Sequence, residues 1–255
     1  MTSHELGFNG PIPNALDATS DRSYILDALG LCANLMIDLS RISQELVLWS
    51  GREFGFVSLS DAVTTGSSIM PQKRNPDMAE LIRGRSGRVI ANWVTLATTM
   101  KALPLGYNRD TQDDKPPLFD SLTKVKDSIK LVHLMLESAT WRLDRMRDSI
   151  RGDFSTATDL ADFLASTGMP FRRAHEVVGQ IVRGCDERKI TLEALDKETL
   201  HAIAADVPET ALSVLSPEGS VQRRESLGAP GPNAMEKQLS HAQWLHKCEG
   251  FPKIA

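Results

Sequence analysis

The sequence lacks the cysteine spacing that would staple a fold or hold a metal. Its three cysteines, Cys32, Cys185 and Cys248, are far apart and odd in number, and no CxxC pair or Cys/His metal spacing occurs. Reduced thiols in a cytoplasmic protein are therefore expected. The first ten residues, MTSHELGFNG, contain neither a basic nor an apolar region of the kind a secretory signal needs. No apolar run reaches the length of a membrane span. A formal net charge of −4 gives no electrostatic ground for a nucleic-acid or membrane partner. Internal repeats and low-complexity tracts are absent as well. What remains is 255 residues, 41% hydrophobic and 24% charged, the composition of a soluble globular protein with one large or two ordinary domains.

Helical periodicity dominates. Ser20 and Asp21 are placed to cap a long helix running toward Trp49, with apolar residues from Ile25 to Leu46 at three- and four-residue steps. Residues 51–74 read as a long loop with a short extended piece between Phe54 and Leu59. A second long helix is predicted from Pro76 to about Met100, and a third from near Pro117 to near Met146. From Arg151 onward the punctuation tightens: Ser155 or Thr156 as N-cap, Gly168 as stop, Pro170 as the next start. Residues 216–234 read as turns, and 234–248 as a last helix. The expectation is an all-α chain: a long-helix bundle over 1–150, then a small domain of short helices over 151–255. Three long striped helices cannot cover one another's apolar faces as four or more can, so an oligomer is expected.

The stretch TTGSSIMPQKRNPD, Thr64 to Asp77, concentrates chemistry. Asn75 followed by Pro76 is a helix opening, with Asn75 as cap and Pro76 in the first turn. The exposed amides of a helix start favour an anion, and Lys73 adds a full positive charge. Together they suit a carboxylate that gains charge when a proton leaves its neighbouring carbon. Ser67 and Ser68 lie on a loop hinged at Gly66; the residues themselves do not choose between the two hydroxyls as base.

GSSIMPQKRNP resembles the signature loop of the fumarase/aspartase superfamily of lyases. That resemblance implies Ser67 as general base, Lys73 as electrostatic stabiliser and Asn75 as substrate ligand, with Ser68 beside them. It also implies that Glu80 pairs with the catalytic histidine of a neighbouring subunit. Fumarases and aspartases typically carry Gly where Gln72 stands. SSIMPQKRNPDMAELIRGRSGRV and LPLGYNRDTQDDKPPLFD are instead similar to the argininosuccinate lyase family, as are NALDATSDRSY and the segment from Asp153 to Arg183. In that family the second segment supplies substrate contacts matching Tyr107, Gln112 and Lys115. Read without the resemblance, Tyr107 is a loop anchor and residues 112–115 a solvated charge run. Arg74 stands where the family's loop has Lys, and Ser23 and Tyr24 where it has Asp and Phe.

The resemblance implies reversible elimination of argininosuccinate to fumarate and arginine, with no metal or organic cofactor, in a homotetramer whose sites draw on three chains. It begins partway into the family's sequence. The segment carrying the family's general-acid histidine has no counterpart here, and the six histidines match no catalytic motif: five lie in helical patterns, and His4 in an unstructured start. The chain alone is therefore expected to be inactive and to need a complementing N-terminal half. The alternative is a non-catalytic helical oligomerisation protein that retains the loop.

Overall fold

The computed structural model describes residues 2–152 and 154–248. Among the described residues the fold is all-α with one two-stranded ribbon. It divides into two compact units, one ending at Arg145 and the other starting at Met146.

The first unit opens with α1 (Thr2–Glu5) and α2 (Ala15–Ser20). His4 therefore sits in a single helical turn rather than in an unstructured start. Asn14 caps α2, its side-chain oxygen accepting from the amides of Leu16 and Asp17 at 3.0 Å. The expected cap at Ser20 and Asp21 is displaced: α3 (Ser23–Ser50) follows Arg22, which gives no side-chain cap, while Asp21 accepts from the Ser23 amide at 2.8 Å. Ile25, Leu29, Cys32, Met36 and Leu46 are buried along α3. They face α4 (Asp77–Met100) and α5 (Lys115–Glu137), whose buried stripes include Ile82, Val89 and Leu96, and Val125, Val132 and Met135. Asp120 clamps α4 to α5. It accepts from Arg88 at 2.9 and 2.7 Å, from Asn92 at 2.8 Å and from Lys124 at 2.8 Å. Burial raises its carboxyl, but these donors outweigh burial and hold it below the usual range.

The third long helix ends short of the expected Met146. After Glu137 the chain extends into β2 (Thr140–Trp141), which pairs antiparallel with β1 (Val57–Ser58) in the register Val57 to Trp141. Trp49 packs edge-on to Trp141, centroids 6.0 Å apart. The chain then re-enters a helix at α6 (Leu143–Ser149).

The second unit is built on α7 (Ala157–Ser166) and α8 (Phe171–Arg188), parted at Gly168, whose φ of 104° suits the helix stop expected there. Leu160, Leu164, Val177 and Ile181 form its core with residues from α9 (Lys197–Ile203) and the turns around it. The stretch 216–234 is less irregular than expected: it contains α10 (Pro217–Arg223), capped by Ser216, which accepts from the Gly219 amide at 3.1 Å. The last helix, α11, spans Pro232–Cys248. Cys32 and Cys185 are free and buried, and burial pushes both thiols up. Among the described residues no helix is long and apolar enough to cross a membrane.

Candidate active site

Thr65 and Asn75 form an isolated antiparallel bridge. Thr65 N donates to Asn75 O at 3.1 Å and Asn75 N to Thr65 O at 2.9 Å. The bridge closes residues 66–74 into a loop standing at the start of α4. The Thr65 hydroxyl also donates to the Asp77 carboxylate in the first turn of α4. This corrects the expected cap. Pro76 occupies the N-cap position without a side-chain bond, and Asn75 closes the loop through its backbone. The helix start is electrostatically mixed, since Asp77 and Glu80 in the first turn oppose Lys73 and Arg74. Glu80 is exposed and lies 3.8 Å from Arg83.

Within the loop, Ser67 is half-buried, and its Oγ accepts from the backbone amides of Ile69 at 3.3 Å and Met70 at 3.2 Å. Two amide donors aimed at one hydroxyl oxygen favour negative charge on it. Ser68 is exposed, and among the described residues nothing bonds its hydroxyl. Lys73 is exposed beside the Met70 turn, its own amide donating to the Met70 carbonyl at 3.0 Å.

Tyr107 and Gln112 lie on a second loop, between α4 and α5, that runs through a 3-10 turn at Arg109–Asp114, and Lys115 follows as the first residue of α5. Tyr107 is 72% exposed and Gln112 is exposed. The stretch 112–115 is not a solvated charge run throughout, because Asp114 is only 2% exposed. Its carboxylate accepts from Lys115 Nζ at 2.9 Å and from Arg22 Nε at 2.5 Å. Burial raises the Asp114 carboxyl, yet the bonds from Lys115 and Arg22 prevail and hold it below the usual range. Sequence reasoning missed Arg22 and Asp114 as positioning residues. The only local signal was an acidic residue directly before Lys115.

The structure thus gathers Ser67, Ser68, Lys73 and Asn75 at one loop, and Tyr107 and Gln112 on another with Lys115 at its junction with α5. Among the described residues no hydrogen bond or ion pair joins the two groups. The cleft next to the first loop takes Thr64, Gln72, Arg74 and Pro76 from the loop's two ends, without Ser67 or Lys73. No group of three or more His, Cys, Asp and Glu is placed to hold a metal among the described residues.

Residues 1–91 match the family model described as lyase, and residues 154–222 the one described as argininosuccinate lyase C-terminal. An argininosuccinate lyase of Bacillus cereus is 48% identical over 242 residues, covering 95% of this chain and 52% of that protein. An argininosuccinate lyase of Bacillus anthracis gives the same figures. The chain spans about half the length of the curated relatives it matches. Among solved structures it is similar to an EDDS lyase in complex with formate, with a TM-score of 0.83 and 27% identity over 96% of this chain and 51% of that one. A 3-carboxy-cis,cis-muconate lactonizing enzyme from Pseudomonas putida shares the fold, with a TM-score of 0.72 and 19% identity over 96% of this chain and 53% of that one.

Proposed function

The chain belongs to the argininosuccinate lyase family of the fumarase/aspartase superfamily, and from that premise we propose that it supplies the base-bearing loop for elimination of argininosuccinate to fumarate and arginine. The observation that carries this reading is the pair of amides from Ile69 and Met70 on Ser67 Oγ. A serine is a poor base because its alkoxide is costly. Two fixed donors lower that cost without desolvating a cation.

In the proposed reaction Ser67 takes the proton from the carbon beside a substrate carboxylate. The electron pair moves onto that carboxylate, where Lys73 and the Asn75 side chain answer the added charge. The pair then returns to form the carbon–carbon double bond as the guanidino nitrogen leaves. Tyr107, Gln112 and Lys115 hold the substrate, with Lys115 oriented by Asp114. Glu80 assists the acid that protonates the leaving group. In the family that acid is a histidine on a segment with no counterpart in this sequence, so the proposed working site is assembled from several chains or from a complementing N-terminal half, in the cytoplasm, without a metal or organic cofactor.

The test is to mix the purified chain with the purified N-terminal half of a family member and follow fumarate release. Neither piece alone should turn over, and the mixture should. Losing general-acid help alone lowers the rate by about two to four orders of magnitude. Turnover by the chain alone at the level of a complete enzyme would overturn the reading. The second reading, a non-catalytic assembly protein, draws on the exposed apolar residues of the long helices, such as Leu31, Leu81 and Phe119. It gains if every pairing is inactive while self-association persists.

A further inference from the structure

A cleft of about 300 Å³ in the first unit is lined by Arg52, Arg74, Arg142 and Arg145 together with Thr64 and Gln72. Four arginine side chains drawn to the lining of one small volume carry like charges that repel unless negative charge answers them. The bonds present answer little of it. Arg74 Nε lies 3.1 Å from Asp61 Oδ1, but both side chains are more than half exposed, and such a pair contributes at most about 1 kcal/mol. Arg145 donates to the carbonyls of Phe54 at 2.5 Å, Arg52 at 3.0 Å and Glu53 at 3.3 Å. Those bonds fix its plane and leave its charge unneutralised. Its guanidinium lies against Gly55, where φ is +61° and a Cβ would come 2.8 Å from Nε. Only glycine admits the arginine there. The side chains of Arg52 and Arg142 have no hydrogen-bond or ion-pair partner among the described residues.

We propose that this cleft is a binding site for a small doubly charged oxyanion, gripped by the forked donors of Arg52 and Arg142, with Arg74, Arg145 and Gln72 as further donors. Planar guanidinium forks match both phosphate and carboxylate oxygens, so the ligand is either a phosphate or a compact dicarboxylate. The site shares Gln72 and Arg74 with the 66–74 loop but is distinct from its proposed catalytic side chains, since Ser67 and Lys73 do not line it. It bears on that loop because Arg74 stands between Lys73 and Asn75. It rests on the arginines alone and does not depend on the proposed reaction.

The experiment is calorimetric titration of the full chain at low ionic strength with inorganic phosphate and, separately, with succinate. Each titration is repeated on Arg52→Ala/Arg142→Ala, with circular dichroism as the check on folding. Saturable binding of one or both ions is expected, weakened about tenfold or more in the double variant because charge-assisted forked bonds are lost. Tighter phosphate binding identifies a phosphate-type ligand, and tighter succinate binding a dicarboxylate. Absence of saturable binding overturns the proposal, as does equal affinity in the double variant. If the double variant fails to fold, Arg52→Lys/Arg142→Lys keeps the charge and loses the fork. Several-fold weaker binding is then expected, and unchanged affinity refutes the site.

Discussion

Arg22 Nε donates to Asp114 Oδ2 at 2.5 Å, across 92 residues of sequence. The carboxylate side chain is 3% exposed and the guanidinium 17%, so the pair is largely withdrawn from water. Its geometric effect is to tie the start of α3 to the junction between the Gln112 loop and the first residue of α5, Lys115. Asp114 in turn holds the Lys115 ammonium at 2.9 Å. The segment before α3 is thereby linked through Asp114 to Lys115.

Arg22→Ala should destabilise the first unit by about 1–3 kcal/mol, since a buried carboxylate loses one of its two cationic partners. Thermal unfolding at neutral pH measures it. A melting temperature equal to that of the parent chain would mean that Lys115 alone satisfies Asp114.

The same pair sets a pH dependence. The Asp114 carboxyl is held below its usual range because the donors outweigh burial. Its stabilisation is present above the unfolded value, about 3.9, and is lost as pH falls through the lowered native value. The stability gap between the parent chain and Asp114→Asn should be widest near neutrality and shrink below about pH 4. A gap that stayed constant down to the acid limit of folding would remove Asp114 from the account.

How far the sequence revealed these features follows from where their determinants lie. The starts and ends of α3 and α4 were legible within a few residues, because each carries an unbroken apolar period. The end of α5 was not. Apolar residues continue through Leu136, Ala139, Trp141 and Leu143, and only pairing with Val57, far away in the chain, turns that stretch into a strand. Asn75 followed a sound local rule and still did not cap α4, since its backbone is used by Thr65. The grouping of Ser67, Lys73 and Asn75 was legible because it is contiguous. Arg22 with Asp114 was not, because burial of one acid among three in DTQDD depends on a remote arginine.

The exposed faces of the long helices predict association. Leu31 is 62% exposed on α3 and Val94 is 48% exposed on α4, apolar surface that favours contact with further chains. Sedimentation at micromolar concentration should show self-association, reduced in Leu31→Glu/Val94→Glu. The melting temperature of the double variant under dilute conditions should change little, because neither residue belongs to the buried core. A stable monomer for the parent chain would contradict the expectation.

Gly184 on α8 is a tight helix–helix contact of the second unit. A Cβ there would approach Ile203 Cδ1 to 2.7 Å, with Cγ1 at 2.9 Å and Cγ2 at 3.0 Å. Three atoms of one β-branched side chain cannot all clear it by a rotamer change, so α9 must shift. Gly184→Ala should cost about 1–3 kcal/mol by overpacking, despite the better helix propensity of alanine. Gly184→Ala/Ile203→Val should recover part of that loss. A neutral or stabilising single variant would show that the α8–α9 contact yields freely.

The catalytic assignment separates three side chains by what each should change in the complemented enzyme. Ser67→Ala would remove the group proposed to act on a proton only in the transition state, so kcat should collapse by at least about a hundredfold while substrate affinity holds. Among the described residues its hydroxyl oxygen bonds only the amides of its own turn, so stability should move by no more than about half a kcal/mol. Lys73→Met should lower kcat strongly and also weaken fumarate binding, because its charge answers a carboxylate already present in the ground state. Gln112→Ala should act mainly on KM for argininosuccinate. The amides of Ile69 and Met70 favour Ser67 over Ser68, so Ser68→Ala should retain most of the turnover. Normal turnover in Ser67→Ala with loss in Ser68→Ala would reverse the assignment, and would require the 66–74 loop to turn the other hydroxyl toward the substrate when the site is complete.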